Sequence, residues 1–276
     1  MDLALYHKRA IVTGGSKGIG RAVAATLVQE GALVLICARS EETLNETKNA
    51  IHQKFGQSVL TVVADLSSQE GADKVRDVAM EEWGGVDILV NNAGAAPGAL
   101  IEELSDDIWH QALNVKFLGY VRMMKAILPV FKEQRKGVVV NVVGNDGIKF
   151  PYWELTGTAA NAADLAVSQA LALQYGRYNI RINSVNPGPV DTGRWDNLIR
   201  DFASSRGITP EQAHEIFLQS LATKRIATPQ EVADITVFLS SPKSSFINGA
   251  AINVDGNQQK SIIDYLSPPP EWPTKF

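Results

Sequence analysis

The sequence predicts an α/β fold built on a parallel sheet, and three observations lead to this prediction. Short apolar runs alternate with longer amphipathic runs from residue 8 to about residue 190. The short runs are uninterrupted stretches rich in Val, Ile and Leu, which is typical of strands buried on both faces. No repeat, low-complexity tract or linker interrupts the 276 residues. We therefore expect one domain in which helices cover both faces of the sheet.

Each predicted element follows from its own stretch of sequence. The first strand is RAIVTGG, and the helix over residues 18–30 places Val23, Leu27 and Val28 on one face. The later strands are predicted at LVLICA, VLTVVADL, VDILVNNAG, GVVVNVV, IRINSVNPG and GAAINVDG. The later helices are predicted over residues 41–55, 68–83, 105–134, 155–178 and 229–239, with a polar helical region over 194–223. The prolines at 257–276 predict an extended arm, either solvated or laid over a neighbouring subunit.

Composition and charge exclude several classes of partner. The formal net charge is −4 and no basic block occurs, so we expect no nucleic acid or anionic membrane as a partner. No apolar run approaches the length that spans a bilayer, and the N-terminal segment is typical of a first strand rather than a signal peptide. We therefore expect a cytoplasmic protein that binds a small molecule or another protein.

The cysteine and the histidines give no sign of a metal site. Cys37, the one cysteine, lies in an apolar run and is expected to be a buried strand thiol. The four histidines fall in separate segments without the i, i+4 spacing of a ligand pair. The sequence therefore predicts no metal ligands.

A glycine-rich loop, TGGSKGIG at residues 13–20, follows the first strand and opens the first helix. Gly14 permits a tight turn, Gly18 lets the backbone approach a pyrophosphate, and Gly20 allows close packing of the helix. The helix N-terminus presents free N–H groups to phosphates. This context predicts a dinucleotide-binding loop.

Four further segments join this loop in a pattern that resembles the short-chain dehydrogenase/reductase family. The loop itself matches that family's T-G-x-x-x-G-[IL]-G, and ADL at 64–66, NNAG at 91–94, Asn114 and NPGPVDT at 186–192 fall where the family needs them. The resemblance extends from Ala10 to Gly256. It implies a single Rossmann-type domain over residues 1–256, with a doubly wound parallel sheet of about seven strands flanked by helices.

The resemblance also implies which residues contact the dinucleotide. The set is Gly14, Ser16, Lys17, Gly18, Ile19, Arg39, Asp65, Leu66, Asn91, Ala93, Gly94, Pro187, Gly188, Val190 and Thr192. Asp65 and Leu66 would contact the adenine, and the last four would hold the nicotinamide. The alternative is that NNAG and NPGP are only turns at strand ends, although ligands bind at those ends in open α/β sheets.

The end of the second strand, LICARS, bears on the choice between NAD(H) and NADP(H). An acidic residue there would bind the ribose 2′-OH, whereas Ala38 and Arg39 leave space and positive charge for a 2′-phosphate. Lys17 offers a second cation. NADP(H) is therefore favoured over NAD(H), unless Arg39 caps or pairs locally on the surface.

The family's usual proton donor is missing at the expected place. Members that reduce carbonyls use a Tyr, a Lys one helical turn later, a Ser after the fifth strand and an Asn in the preceding helix. The usual spacing puts Gly144 at the Ser position, Gly157 at the Tyr position and Asn161 at the Lys position, so only Asn114 remains. Loss of one acid/base group typically costs ~10²–10⁴ in rate. We expect a family member that binds NADP(H) but whose standard alcohol or ketone hydride transfer is severely impaired.

Other side chains in the loop before the predicted helix at 155 could supply the proton. Tyr152, Asp146 and Glu154 lie there, and Lys149 could modulate them. The alternative is a packing loop that fills the space left by two glycines. The candidate catalytic residues are Asn114, Tyr152, Asp146 and Asn161.

Two further hypotheses stay open. The protein could be a catalytically silent member that assembles with an active paralogue, or it could form a homodimer or homotetramer through its long helices. It could also perform a non-redox hydration or hydrolysis with Asp146 or Glu154 as the base. By family analogy the 194–223 region forms a flap over the substrate site, with Trp195, Phe202 and Phe217 as apolar contacts, but no substrate follows from it.

Overall fold

The strands of the computed structural model, which describes residues 2–94, 96–151 and 154–258, form one parallel sheet. Within those residues the sheet has seven strands in the order β3-β2-β1-β4-β5-β6-β7. The strands are β1 (Arg9–Thr13), β2 (Leu33–Ala38), β3 (Leu60–Val63), β4 (Ile88–Asn91), β5 (Gly137–Val142), β6 (Ile180–Pro187) and β7 (Ala251–Val254). The predicted doubly wound α/β architecture is confirmed.

Helices connect the strands in the predicted alternation. They are α1 (Gly18–Gln29), α2 (Glu41–Phe55), α3 (Gln69–Trp83), α4 (Asp106–Gln134), α5 (Asp146–Lys149), α6 (Leu155–Tyr175), α7 (Gly193–Arg206), α8 (Pro210–Ser220) and α9 (Pro229–Ser240). The short helix α5 was not predicted, because four residues are too few for a 3.6-residue periodicity to be visible. The predicted helix at 155–178 ends at Tyr175 and continues as a 3₁₀ turn, Gly176–Tyr178.

Two hydrophobic clusters cover the two faces of the sheet. Successive strand residues point to opposite faces, and Val12 of β1 belongs to one cluster whereas Ile11 belongs to the other. The first cluster includes Leu27 of α1 and Val237 of α9, and the second includes Met123 of α4. Burial on both faces explains the uninterrupted apolar runs of the strands.

The strand order places a candidate ligand crevice at one edge of the sheet. Strand β1 has β2 on one side and β4 on the other, so the direction of winding reverses there. Ligands of open α/β sheets bind outside the carboxyl ends of the strands at such a point. The loops after β1, β4, β5 and β6 therefore surround the candidate site.

The 194–223 region folds as the helical pair α7 and α8. Trp195, Phe202 and Phe217 are buried there, with ring centroids of Trp195 and Phe202 at 5.1 and 5.2 Å from that of Phe217. These rings pack against one another and form a small core of the pair. They are not exposed for substrate, contrary to the expectation from sequence.

Two predictions concern the C-terminal arm and the absence of a membrane-spanning segment. The predicted C-terminal arm lies, from residue 259 onward, outside the described residues. Within the described part of the chain, the helices include none long and apolar enough to cross a membrane.

Candidate functional site

The glycine-rich loop after β1 makes a tight turn that only small residues allow. The N–H of Gly14 donates to the carbonyl of Cys37 at 2.9 Å, and Gly14 has φ +62°. A Cβ at Gly14 would lie 2.9 Å from Cα of Ala93, and one at Gly20 would lie 2.3 Å from the oxygen of Gly14. The loop therefore lets its backbone and the N-terminus of α1 approach a ligand closely. Lys17, the residue before α1, is exposed at this end.

Thr13 and Asn92 fix the glycine-rich loop to the NNAG segment. The hydroxyl of Thr13 accepts from the backbone N–H of Asn92 at 2.9 Å and from that of Ala93 at 3.1 Å. The Asn92 amide donates to the carbonyl oxygens of Thr13 and Gly14, both at 3.2 Å. Sequence reasoning missed both side chains as site residues, although each lies inside a motif that it had quoted.

The loop after β6 closes over the same crevice. A Cβ at Gly18 would lie 3.2 Å from Cγ2 of Thr192, so the segment of Pro187, Gly188, Val190 and Thr192 borders the glycine-rich loop. On the other side, the Thr47 hydroxyl donates to the carbonyl of Ser16 at 2.8 Å and fixes the loop to α2. The structure thus brings together the segment predicted to hold the pyrophosphate and the segment predicted to hold the nicotinamide.

The predicted adenosine end carries positive charge. Arg39 is exposed immediately after β2. The backbone N–H of Ser67 donates to Asp65 at 2.9 Å and lowers the pKa of that carboxyl, and the charges of Arg39 and Arg122 lower it further. Leu66 is buried, and its carbonyl accepts from Arg122 at 3.1 Å.

The three positions that the sequence aligns with the family's Ser, Tyr and Lys lie close together. Gly144 follows β5 with φ +130°, and a Cβ there would lie 2.8 Å from Nδ2 of Asn161. Gly157 and Asn161 are one turn apart on α6 and so share a face. A Cβ at Gly157 would find Ala96 Cβ at 3.6 Å and Glu154 Cβ at 3.9 Å, which are ordinary contact distances.

Asn114 and Asn161 have different surroundings. The Asn114 amide oxygen accepts from Arg122 at 2.5 Å, and its carbonyl accepts from the same guanidinium at 2.9 Å. Asn161 is fully buried, and neither polar atom of its amide has a hydrogen-bond partner within the described part of the chain. A buried amide without partners indicates a place for water or a ligand group.

A carboxyl pair lies beside Gly157. Glu154 hydrogen-bonds the side chain of Asp146, and its Oε1 lies 3.8 Å from Nη2 of Arg194. The Glu154 side chain is 16% exposed, so it is largely desolvated and still accessible. Burial raises the pKa of Glu154 to about 8, the Asp146 carboxylate acts in the same direction, and Arg194 and Lys116 oppose the shift. Burial and the neighbouring carboxylate therefore favour the neutral carboxylic acid, the form that can donate a proton.

Lys116 of α4 and Asp164 of α6 are buried behind this pair. Burial lowers the pKa of Lys116 to about 8, and the charge of Arg194 lowers it further, whereas the carboxylates of Asp146, Glu154 and Asp164 oppose the shift. Burial raises the pKa of Asp164 to about 8 against the charge of Lys116. Neither Asp164 oxygen has a hydrogen-bond partner among the residues described. Sequence reasoning missed both residues, and the only available signal was a charge at a core-facing helix position.

Three further residues singled out from the sequence are Lys149, Tyr152 and Cys37. Lys149, named from the sequence as a residue that could modulate the loop carboxyls, has its Nζ 3.7 Å from Asp255. Tyr152 lies outside the described residues. Cys37 is buried as expected, and burial raises its pKa to about 12.

Comparisons with known proteins identify the family. Residues 8–202 match the family model described as short chain dehydrogenase. A Bacillus subtilis protein described as the uncharacterized oxidoreductase YvaG is 32% identical over 269 residues, which cover 95% of this chain and 100% of that protein. The chain belongs to the short-chain dehydrogenase family.

Relatives with described activities are similar over nearly their whole length. A 3-oxoacyl-(acyl-carrier-protein) reductase of Chlamydia muridarum is 29% identical over 93% of the present chain and 99% of that reductase. The crystal structure of L-sorbose reductase from Gluconobacter frateurii, complexed with NADPH and L-sorbose, has a TM-score of 0.88 at 30% identity. That match covers 95% of this chain and 100% of the reductase chain.

The residues at the candidate site fit a nicotinamide dinucleotide. The cradle around Gly14 and Gly20 has no space for a Cβ, which leaves backbone N–H groups for phosphates. At the other end of the crevice, the buried amide of Asn161 has unsatisfied polar atoms where a ribose hydroxyl could bind. The dinucleotide would be held by the loops after β1, β2, β4 and β6.

Proposed function

We propose that the protein is an NADP(H)-dependent oxidoreductase in which Glu154 is the proton donor. Standard family chemistry is impaired in this proposal, because Gly144, Gly157 and Asn161 stand where Ser, Tyr and Lys are expected. The observation that carries the proposal is the position of Glu154. Its Cβ lies 3.9 Å from where a Cβ of residue 157 would be, so its side chain begins beside the place from which a tyrosine would extend.

The surroundings of Glu154 support a role as a general acid. A catalytic acid works best when its pKa lies near the working pH, and that of Glu154 is raised to about 8 by burial and by Asp146. Asp146, one of the predicted candidates, acts here through Glu154. Two adjacent carboxyls cannot both ionise easily, so the pair tends to retain one proton.

The proposed reaction is the reduction of a polar double bond, with a carbonyl as the simplest case. When bound, the cofactor supplies the hydride that adds to the carbonyl carbon. Glu154 donates its proton to the carbonyl oxygen, which becomes the hydroxyl of the product alcohol. The carboxylate left on Glu154 is stabilised by the positive charges of Arg194 and Lys116. In the reverse direction the same carboxylate removes the proton of the alcohol.

The preference for NADP(H) rests on Arg39 and Lys17. Both are exposed at the phosphate end of the crevice, and the strand β2 ends in Ala38 rather than an acid. The L-sorbose reductase relative was crystallised with NADPH, which supports the same choice. The identity of the carbonyl substrate is not part of the proposal.

The experiment begins with calorimetric titration of NADPH and NADH into the purified protein. NADPH oxidation is then followed with ketones, 3-oxoacyl thioesters and enoyl thioesters. We expect Glu154→Gln to lower kcat by ~10²–10⁴ with little change in the NADPH Kd. Glu133→Gln, an exposed change at the far end of α4, is the control. NADPH binding with unchanged turnover in Glu154→Gln would assign the acid elsewhere, and no binding of either nucleotide at millimolar concentration would exclude a reductase.

A further inference from the structure

A row of polar side chains runs between α4, β5 and α6 towards the active site. At its inner end, the Asn141 amide of β5 donates to the Ser168 hydroxyl of α6 at 2.7 Å and accepts from Asn91 at 2.9 Å. The Met124 sulfur of α4 lies 3.7 Å from the same amide nitrogen of Asn141. We call this row, with the residues added below, the polar seam.

The next layer of the polar seam lies one turn nearer the N-termini of both helices. The Tyr120 hydroxyl of α4 donates to the carbonyl of Val142 at 2.6 Å. On α6, the Ser168 hydroxyl donates to the carbonyl of Asp164 at 2.6 Å. Tyr120 precedes Met124 by four residues, and Asp164 precedes Ser168 by four. Successive layers of the polar seam are therefore one helical turn apart on both α4 and α6.

The same step brings Lys116 to the outer end of the polar seam. Lys116 precedes Tyr120 by four residues on the face of α4 that contacts β5, and it is 6% exposed. On α6, Asn161 lies three residues before Asp164 and beside Gly144. A Cβ at Gly94 would lie 3.1 Å from Cγ of Lys116, so the stem of the lysine packs against the loop after β4. Lys116 therefore approaches the active site from α4, whereas the family's lysine is expected on α6.

We propose that Lys116 is a positioning residue of this site: from α4 it places its ammonium group in the polar seam and stabilises the carboxylate that Glu154 forms on proton donation. This inference rests on the proposed role of Glu154. Asn161 is uncharged and cannot take that part. Asp164 lies in electrostatic range of Lys116 and is its counter-charge when ionised.

Several other charges act on Lys116. Asp146 lies on α5, Glu154 precedes α6 and Arg194 lies on α7, and all three interact electrostatically with the lysine. Tyr120, the nearest titratable group on α4 along the polar seam, has a raised pKa because of burial and the charge of Asp164. Since the cation of Lys116 favours ionised Glu154, a neutral residue at 116 should make Glu154 keep its proton to higher pH.

The test compares Lys116→Met, which removes the charge, with Lys116→Arg, which retains it. The titration of Glu154 is followed in the free protein by carboxyl ¹³C NMR, with its signal assigned by its loss in Glu154→Gln. We expect the Glu154 midpoint to rise by about one pH unit in Lys116→Met, and less in Lys116→Arg; one unit corresponds to a tenfold change in proton affinity. In the reductive assay, the alkaline limb of the kcat profile should move by the same amount.

The outcomes separate this inference from the proposed function. An unchanged Glu154 midpoint in folded Lys116→Met would overturn the role of Lys116, whatever the activity. A shifted midpoint with full turnover in Glu154→Gln would support the coupling and reject Glu154 as the acid. If Lys116→Met does not fold, the double variant Lys116→Met/Asp164→Asn removes the lysine together with its buried carboxyl partner. A Glu154 midpoint that stays at the wild-type value in the folded double variant would overturn the role of Lys116.

Discussion

At the residue scale, Gly144 and Gly157, which the sequence aligns with the family's Ser and Tyr, differ in whether the backbone requires glycine. Gly144 has φ +130°, which side chains rarely adopt, and the Asn161 amide occupies the space that a Cβ would need. Gly157 lies in the first turn of α6 and has ordinary space for a Cβ. Its backbone therefore does not require glycine. In the proposed reaction, the absence of a side chain at 157 would leave room for a substrate beside Glu154.

Arg39 decides the choice of cofactor in our proposal. Arg39→Ala removes the cation that would pair with a 2′-phosphate, and charge-assisted hydrogen bonds contribute about 1.5–3 kcal/mol. We expect the NADPH Kd to rise by ~10–100-fold while the NADH Kd changes little, as measured by calorimetric titration. Lys243→Ala, an exposed change after α9 near the opposite edge of the sheet, is the control. An equal rise in the Kd of NADPH and of NADH would mean that Arg39 does not recognise the 2′-phosphate.

At the element scale, helix ends follow local signals that the sequence shows directly. The Ser40 hydroxyl accepts from the N–H of Thr43 at the start of α2, and Gly56 ends that helix with φ +69°. Its predicted bounds therefore agree with the structure. Helix α6 ends three residues before its predicted end because the chain tightens into a 3₁₀ turn at Gly176, where the residue pattern itself does not change.

The polar seam between α4 and α6 makes stability depend on pH through Asp164. Its pKa is raised from 3.8 to about 8, so between these values the folded protein holds a proton that the unfolded chain has released. The stabilisation is complete below the lower value and is lost as pH rises towards 8, at up to about 1.4 kcal/mol per pH unit. Asp164→Asn should reduce this slope in urea unfolding between pH 5 and pH 8. Asp201→Asn, an exposed change on α7, should leave it unaltered, and equal slopes in all three proteins would contradict the prediction.

At the scale of the whole molecule, the parallel sheet brings distant segments to one edge. The loops after β1, β4, β5 and β6 meet there because every strand of the described sheet points the same way. The outer faces of α4 and α6 also carry apolar residues, with Leu118 at 38% and Leu173 at 87% exposure. We expect a second copy of the chain to cover these faces.

A charge on this face should separate the subunits. We expect Leu173→Glu to weaken self-association at least tenfold, because a carboxylate would be buried without a partner. Sedimentation velocity over a range of concentrations measures the change. Gln174→Glu adds the same charge to the adjacent exposed residue and is the control. A wild-type protein that is monomeric at all concentrations would exclude a homo-oligomer.

The sequence by itself determined the sheet, most helix bounds and the dinucleotide-binding loop. These depend on signals that lie within a few residues of one another, such as apolar periodicity, caps and the spacing of Gly14, Gly18 and Gly20. Family resemblance supplied the contacts expected of the loops after the strands, and the structure brings those loops together. The sequence could name Asp146 and Glu154 as loop carboxyls, but it could not show which of the two is placed to donate a proton.

Only the tertiary structure brought Lys116, Glu154 and Asp164 into one buried group. Lys116 and Glu154 are separated in the chain by the rest of α4, the strand β5 and α5, and no local pattern links them. The pKa of each group depends on burial and on charges contributed by other elements. Desolvation and electrostatic coupling arise when the helices pack on the sheet, and so the candidate acid and its cation became visible only in the folded chain.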